Sequence, residues 1–281
     1  MVHTLPQGPY SGPVPEPVSA FGSVLTAPNP GPMTLDGTNS YVFSFPGSDS
    51  VVVVDPGPDD AGHLAALAGQ GRVELVLVTH RHPDHTGGID TFHRLTGAPV
   101  RAALQEFCRG AEPLLAGGTG GREVVRAAGL EFWALATPGH TSDSVSFFLP
   151  HDGPHGAMAT GDTILGRGTT ILDFPDGTLG DYLDSLDTLA GFGPAALLPA
   201  HGPVGAALDD VVARYRAHRL ERLDQVRDAL AALGHTGVGP APSVVEVADV
   251  VYSDVDPSVR GAAEHSVAAQ LHYLLGGTGG G

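Results

Sequence analysis

Three imidazoles and one carboxylate stand within six consecutive positions, as His80, His82, Asp84 and His85. They follow an apolar run, Val73-Glu74-Leu75-Val76-Leu77-Val78, which reads as a buried strand. A strand end opening into a loop is where α/β proteins place their sites. Pro83 predicts an extended, non-helical loop, because its ring disfavours the α region for the preceding residue. His80 and His82 then point to one side, with Asp84 and His85 within reach. Imidazoles held this close would repel when protonated, and a shared metal ion removes that conflict. The chain has 14 histidines, and those outside such motifs, His63 and His218 among them, read as ordinary lone residues.

Matching partners lie downstream. Gly139-His140-Thr141 follows the strand-like run 132–137, Gly161-Asp162-Thr163 follows 156–159, and Ala200-His201-Gly202 follows 195–198. Each supplies a His or Asp beside glycine at a predicted strand end. Four strands would therefore deliver ligands to one rim. A donor set of neutral imidazoles and carboxylates without thiolate suits Zn, Mn or Fe rather than a closed structural zinc site. Ser40, Ser144 and Cys108 lie in no nucleophile elbow and beside no matched base, so they read as structural.

HxHxDH followed in order by GHT, GD and AHG resembles the metallo-β-lactamase-fold hydrolases over residues 18–205. The resemblance implies an α/β fold, a four-layer αβ/βα sandwich with a two-metal site between its sheets. It implies one ion on His80, His82 and His140, a second on Asp84, His85 and His201, and Asp162 bridging both. Asp55 resembles an acidic position that orients a ligand histidine from behind. Two divalent ions, expected as zinc with manganese or iron as alternatives, can share a water and lower its pKa from ~16 towards 7. That hydroxide is the expected nucleophile, with Asp84 orienting it as well as binding metal.

The remaining chain must position these groups. Its 281 residues, 42% apolar, suffice for one large domain and a small one. The expected division is an extended Pro/Gly-rich arm over 1–17, the catalytic domain over 18–205 and a helical domain over 206–281. Residues 18–26 predict a first strand, 40–45 and 51–54 a hairpin, 59–70 and 87–95 helices, and the stretch near Tyr182 another helix. The Pro-rich loop 27–39 and the aperiodic stretch 163–179 are candidates to overhang the metals and border a cleft. The glycine-rich stretch 116–121 lacks a P-loop lysine and reads as a flexible turn.

Residues 208–233 predict a long helix, and 244–252 and 259–275 two more. Three such helices resemble the small winged-helix-type tail of the beta-lactamase-like protein 2 group. The stretch 29–41 is also very similar to that group, as are His218, Arg219, Arg222 and Gln225 followed by Val251 and Tyr252. The long helix carries Arg214, Arg216, Arg219, Arg222 and Arg227. These read as a solvated face paired with Asp210, Glu221, Asp224 and Asp228, or as a basic stripe for an anionic substrate.

The formal net charge is −17, and all 14 basic residues are arginine. Such a chain attracts polyanions poorly. One cysteine excludes an internal disulfide and fits a reducing compartment. No stretch has the length and apolarity of a membrane span, and the start lacks a signal-peptide pattern, so a cytoplasmic location is expected. The functional expectation is a metal-dependent hydrolase of a small ester, thioester or lactone. The relatives of glyoxalase II share its ligand set, but no counterpart of their glutathione contacts is apparent. The beta-lactamase-like protein 2 resemblance implies an alternative, cleavage of single-stranded RNA, against which stand the acidic charge and 6% aromatic content. A non-enzymatic metal-binding scaffold is the third reading. An exposed tail helix leaves a homodimer possible.

Overall fold

The computed structural model describes residues 15–114, 121–235, 237, 240–253 and 260–276. Two sheets pack face to face. The first runs β1 (Glu16–Pro17), β2 (Gly22–Thr26), β3 (Asn39–Phe43), β4 (Ser50–Val54), β5 (Arg72–Leu77) and β6 (Val100–Arg101), in chain order. The second is ordered β11 (Ala196–Pro199), β10 (Ala157–Gly161), β9 (Val145–Leu149), β8 (Leu130–Ala136) and β7 (Arg122–Ala127). β4 and β5 pair in parallel, as do β10 and β11.

The strands read as continuous apolar runs because both of their faces are covered. In β3, Tyr41 and Phe43 enter the inter-sheet core while Val42 points outward; in β4, Val52 and Val54 point inward while Val51 and Val53 face the helices. The inner core joins these to Phe132, Ala134, Phe147 and Leu149 of the second sheet. Phe43 and Phe132 meet edge to face at 5.6 Å, a favoured aromatic geometry. Helices α1 (Ala61–Ala68) and α3 (Ile89–Thr96) cover the outside of the first sheet through Leu64, Leu67, Ile89 and Phe92. Helices α4 (Leu179–Ala190) and α5 (Leu208–Ala232) cover the second through Tyr182, Leu186, Val212 and Tyr215. The result is the four-layer α/β/β/α sandwich.

The expected extended loop after His82 is corrected by the structure. His82 is extended (φ −60°, ψ 145°), but residues Pro83–Thr86 form one helical turn, α2. Proline is tolerated there because it occupies the first helical position, where its missing N–H has no intrahelical acceptor anyway. The predicted strand over 18–26 is pared to Gly22–Thr26, and Glu16–Pro17, expected in the arm, pairs with it. Strands β7 and β9 have no counterpart among the predicted elements. The rest of the arm, residues 1–14, and most of the glycine-rich stretch, residues 115–120, lie outside the described residues.

The tail folds as α5, α6 (Val244–Val251) and α7 (Arg260–Leu274). Among the described residues it is helical without a strand, so the winged-helix resemblance is carried by helices alone. A boundary after residue 205 falls just before a helix that serves two cores. The first half of α5 packs on the sandwich, while Val226, Ala229 and Leu230 form a separate cluster with Val247, Val267 and Leu271.

Candidate metal centre

The parallel pairings put the ends of β4 and β5 on one rim, followed by Asp55 and by His80. In the second sheet β9 runs antiparallel to both neighbours, so β8, β10 and β11 all end at one edge. His140, Asp162 and His201 follow those ends. β3 closes the two edges together: Asn39 donates from its side chain to the carbonyls of Pro199 and Gly202, and the Tyr41 hydroxyl donates to Pro199. Gly139 turns the chain after β8 with φ +133°, and a Cβ there would lie 2.4 Å from the Tyr182 Cα. Only glycine permits both that backbone and that approach.

Seven side chains converge there in two groups, His80, His82, His140 and Asp162, and Asp84, His85 and His201, each with donor atoms within 4.8 Å of one another. His82 Nδ1 lies 3.1 Å from His80 Nε2 and 3.0 Å from His140 Nε2. Asp84 Oδ2 lies 3.3 Å from both His85 Nε2 and His201 Nε2. Asp162 straddles the groups. Its Oδ2 is 3.6 Å from His140 Nε2, and its Oδ1 is 3.2 Å from His201 Nε2 and 3.5 Å from His85 Nε2.

Backing contacts set which nitrogen faces inward. His140 Nδ1 donates to the Ile171 carbonyl at 2.6 Å, His201 Nδ1 to the Gly37 carbonyl at 3.1 Å, and His85 Nδ1 to Asp55 Oδ2 at 2.8 Å. Each leaves Nε2 directed at the cluster. Asp55 also accepts from the Thr79 backbone and hydroxyl, and Thr79 Oγ1 sits 3.1 Å from His80 Nδ1. His82 is reversed: Nδ1 faces inward, and Nε2 lies 3.4 Å from Asp173 Oδ2. Asp173 is held in turn by Arg81, which spans it and Asp176 at 2.5 and 2.8 Å. Thr38 donates to Asp84 at 2.9 Å.

The electrostatics follow from this crowding. Burial, then the charge of His85 beside it, holds His80 well below the usual histidine range. Burial likewise lowers His140. Burial also disfavours charge on His85 and His201, but carboxylates outweigh it: Asp55 and Asp162 raise His85 well above the ordinary value, and Asp162 and Asp84 push His201 up to about 9. Burial opposes ionisation of Asp162 and Asp84 too, yet the adjoining histidines hold both below the usual carboxylate range. His85 Nε2 and Asp162 Oδ1 are buried without a hydrogen-bond partner despite their 3.5 Å approach. Inward-facing imidazole nitrogens, orphaned buried donor atoms and two carboxylates are what N/O-ligated divalent cations require. The residues fit such ions.

The supporting roles of Thr38, Thr79, Arg81 and Asp173 carry no signal in the sequence. Thr79 adjoins the motif, but nothing local distinguishes Asp173 in its aperiodic stretch from Asp176. Cys108, Ser40 and Ser144 stand outside the two groups. Cys108 is a buried free thiol, Ser40 bonds His63, and Ser144 bonds Thr141. The arginines of α5 do not form one stripe. Arg214 donates to the Asp210 carbonyl, Arg216 pairs with Asp187, Arg227 with Asp224, and Arg222 donates to Gln225. Arg219 is buried against the Tyr182 ring and donates to the Thr170 carbonyl.

Known proteins resemble this arrangement. The metallo-beta-lactamase superfamily matches residues 33–201. A beta-lactamase-like protein 2 homolog of Caenorhabditis elegans is 30% identical, covering 92% of this chain and 86% of its own length. An atrochrysone carboxyl ACP thioesterase of Aspergillus chevalieri is 31% identical, covering 90% of this chain and 80% of its own. The crystal structure of a metallo-beta-lactamase family protein from Thermus thermophilus superposes with a TM-score of 0.69 at 24% identity, over 92% of this chain and 96% of that one.

Proposed function

The chain belongs to the metallo-beta-lactamase superfamily, and from that premise we propose that it is a binuclear metal-dependent hydrolase of small acyl esters, with thioesters as the leading class. The observation that carries the substrate reading is the cleft beside the cluster. It encloses about 100 Å³ between Pro32, Met33 and Leu35 on one side and Leu165, Gly168 and Ile171 on the other, and it opens on His140 and Asp162. A largely apolar wall, interrupted by Thr169, Thr170 and the Asp36-paired Arg167, against a polar centre suits an acyl chain whose carbonyl meets the donors. The stretches 27–39 and 163–179 supply these walls. The thioesterase named among the relatives points the same way. The dispersed arginines of α5 offer no continuous track for an RNA backbone.

His80, His82 and His140 would hold one divalent ion, Asp84, His85 and His201 a second, and Asp162 would offer one oxygen to each. Zinc fits this donor set, as would manganese or iron. Bound there, the ions would supply a water acidified from ~16 towards 7 and an electrophilic contact for the acyl oxygen. The chain supplies the orientation. Asp84 is fixed by Thr38 through Oδ2 and is the most exposed carboxylate in the cluster, at 23%, so it is placed to hold a proton of the attacking water. The apolar walls keep other water from the acyl group.

Metal-loaded protein should release thiol from a panel of acyl thioesters. Asp84→Asn, which keeps size but weakens both roles, should lower the rate by at least about 100-fold. Labelled single-stranded RNA run beside it should remain intact. Thioester turnover equal in both proteins, or RNA cleavage that vanishes in Asp84→Asn, would overturn the assignment.

A further inference from the structure

A second polar cavity, of about 240 Å³, lies between α5 and α7, lined by His218, Arg219, Arg222, Tyr252, Ser266 and Gln270. Thr169, Thr170 and Ile171 line it from the other side, and the same three residues wall the cleft at the metal cluster. Two guanidiniums and an imidazole meet there, and among the described residues no carboxylate lines it. The chain as a whole carries a net charge of −17 with 31 acidic residues, so a cluster of cations there stands against the overall balance.

Arg219 shows the imbalance most directly. It is 6% exposed, its Nε is buried without a partner, and its contacts are a backbone carbonyl and the Tyr182 ring. Among the described residues no carboxylate lies within ion-pair distance of Arg219 or Arg222. A buried cation without a counter-charge is unfavourable, and an anion from outside relieves it. Arg222 lies over the Tyr252 ring with one nitrogen on the neutral Gln225 amide, so its remaining donors are not committed to an acid. On the facing wall Gln270 is 2% exposed with Oε1 unpartnered, and rotation of that amide presents N–H donors instead.

We propose that this cavity binds a phosphate-type oxyanion. Guanidinium forks match the tetrahedral oxygens of phosphate, and their charge favours a dianion over a single carboxylate. Two sources have that chemistry: free inorganic phosphate, and a phosphate carried on the thiol side of the substrate. The second source rests on the thioester reading above. The shared wall at Thr169–Thr170–Ile171 sets the cavity back to back with the cleft at the metal cluster. Arg219 holds the wall itself through Thr170, so occupation of the cavity and the shape of the cleft are linked.

Thermal melting of the metal-loaded full chain with inorganic phosphate tests the site. The wild type should be stabilised in a concentration-dependent way, Arg222→Gln should lose most of that shift, and Arg222→Lys should recover part of it. An equal shift in wild type and Arg222→Gln would mean that phosphate sits on the metals, and would overturn the site, as would no shift in any protein. The source is read from kinetics, by comparing one acyl group on phosphopantetheine and on pantetheine. A phosphate on the substrate should lower KM by about tenfold, with the advantage falling to about one in Arg222→Gln. No advantage in the wild type, with the melting shift present, assigns the cavity to free phosphate. No turnover of either thioester would sink the proposed function, while the melting series would still decide the cavity.

Discussion

Asp173 illustrates what a single side chain adds to the histidine–aspartate cluster. His82 is the one histidine of the cluster that turns Nδ1 inward, and Asp173 is the group that faces its other nitrogen. A carboxylate behind a ligand histidine selects its tautomer and holds the ring. We expect Asp173→Ala to weaken metal binding by about 10–100-fold, read by competition with a chromophoric chelator. Asp173→Asn should lose less, because the amide oxygen still accepts. Equal affinity in Asp173→Ala and wild type would remove Asp173 from this role. A different titration belongs to His63, which is buried under Gly57 and bonded to Ser40. Burial depresses it from 6.5 to about 4. The unfolded chain therefore takes up this proton first as pH falls. The stability due to His63 is fully present above about pH 6.5 and is lost between there and pH 4, amounting to roughly 3 kcal/mol at the acid end. Urea unfolding at pH 7 and pH 4.5 should show a smaller acid loss in His63→Gln than in the wild type. Taking that difference cancels metal release, which both proteins share.

The elements act by where they end. Strands β4, β5, β8, β10 and β11 contribute little chemistry themselves, yet the residue or turn beyond each carries a cluster residue or its support. The turn at Gly139 is the tightest of these, packed against the start of α4. Gly139→Ala must displace backbone rather than a flexible side chain, so it should cost at least about 2 kcal/mol. His140 should be displaced with it. Chemical denaturation should show the stability loss and metal stoichiometry the lost ligand; unaltered values of both would contradict the packing argument. Helix α5 acts across two cores. Arg219 lies on the stretch of α5 that packs on the sandwich, and its bond to Thr170 connects the tail to the cleft wall.

At the level of the whole molecule, five histidines and two aspartates are concentrated at the seam between two sheets. Without cations this costs stability, through buried unsatisfied atoms and like charges. Chelation should therefore lower the melting temperature, and restoring zinc should recover it; a melting temperature indifferent to chelator would argue against ions bound in the seam. No helix among the described residues is long and apolar enough to cross a membrane. Much of this architecture was legible in the chain, because strand runs such as 51–54 and 73–78 are apolar on both faces, and because HxHxDH, GHT, GD and AHG each follow one of them. These are local signals: residue type, spacing and the turn beyond a strand. β7 is hidden because two arginines and a glutamate interrupt its apolar residues, and both β7 and β9 are fixed as strands by pairing with β8. The helical turn at Pro83–Thr86 is hidden because proline's effect depends on whether it opens a helix or interrupts one. Residue order alone carries the donor types and their succession, and the layered fold is implied by the family resemblance those motifs bear. It took the packing of the elements to put Asp173 behind His82 and to part the arginines of α5, with Arg219 turned inward. His82 meets His140 from 58 positions away and Asp173 from 91, and the fate of each arginine depends on which face of a helix is covered. Such relations arise from packing between elements and leave no local pattern to read.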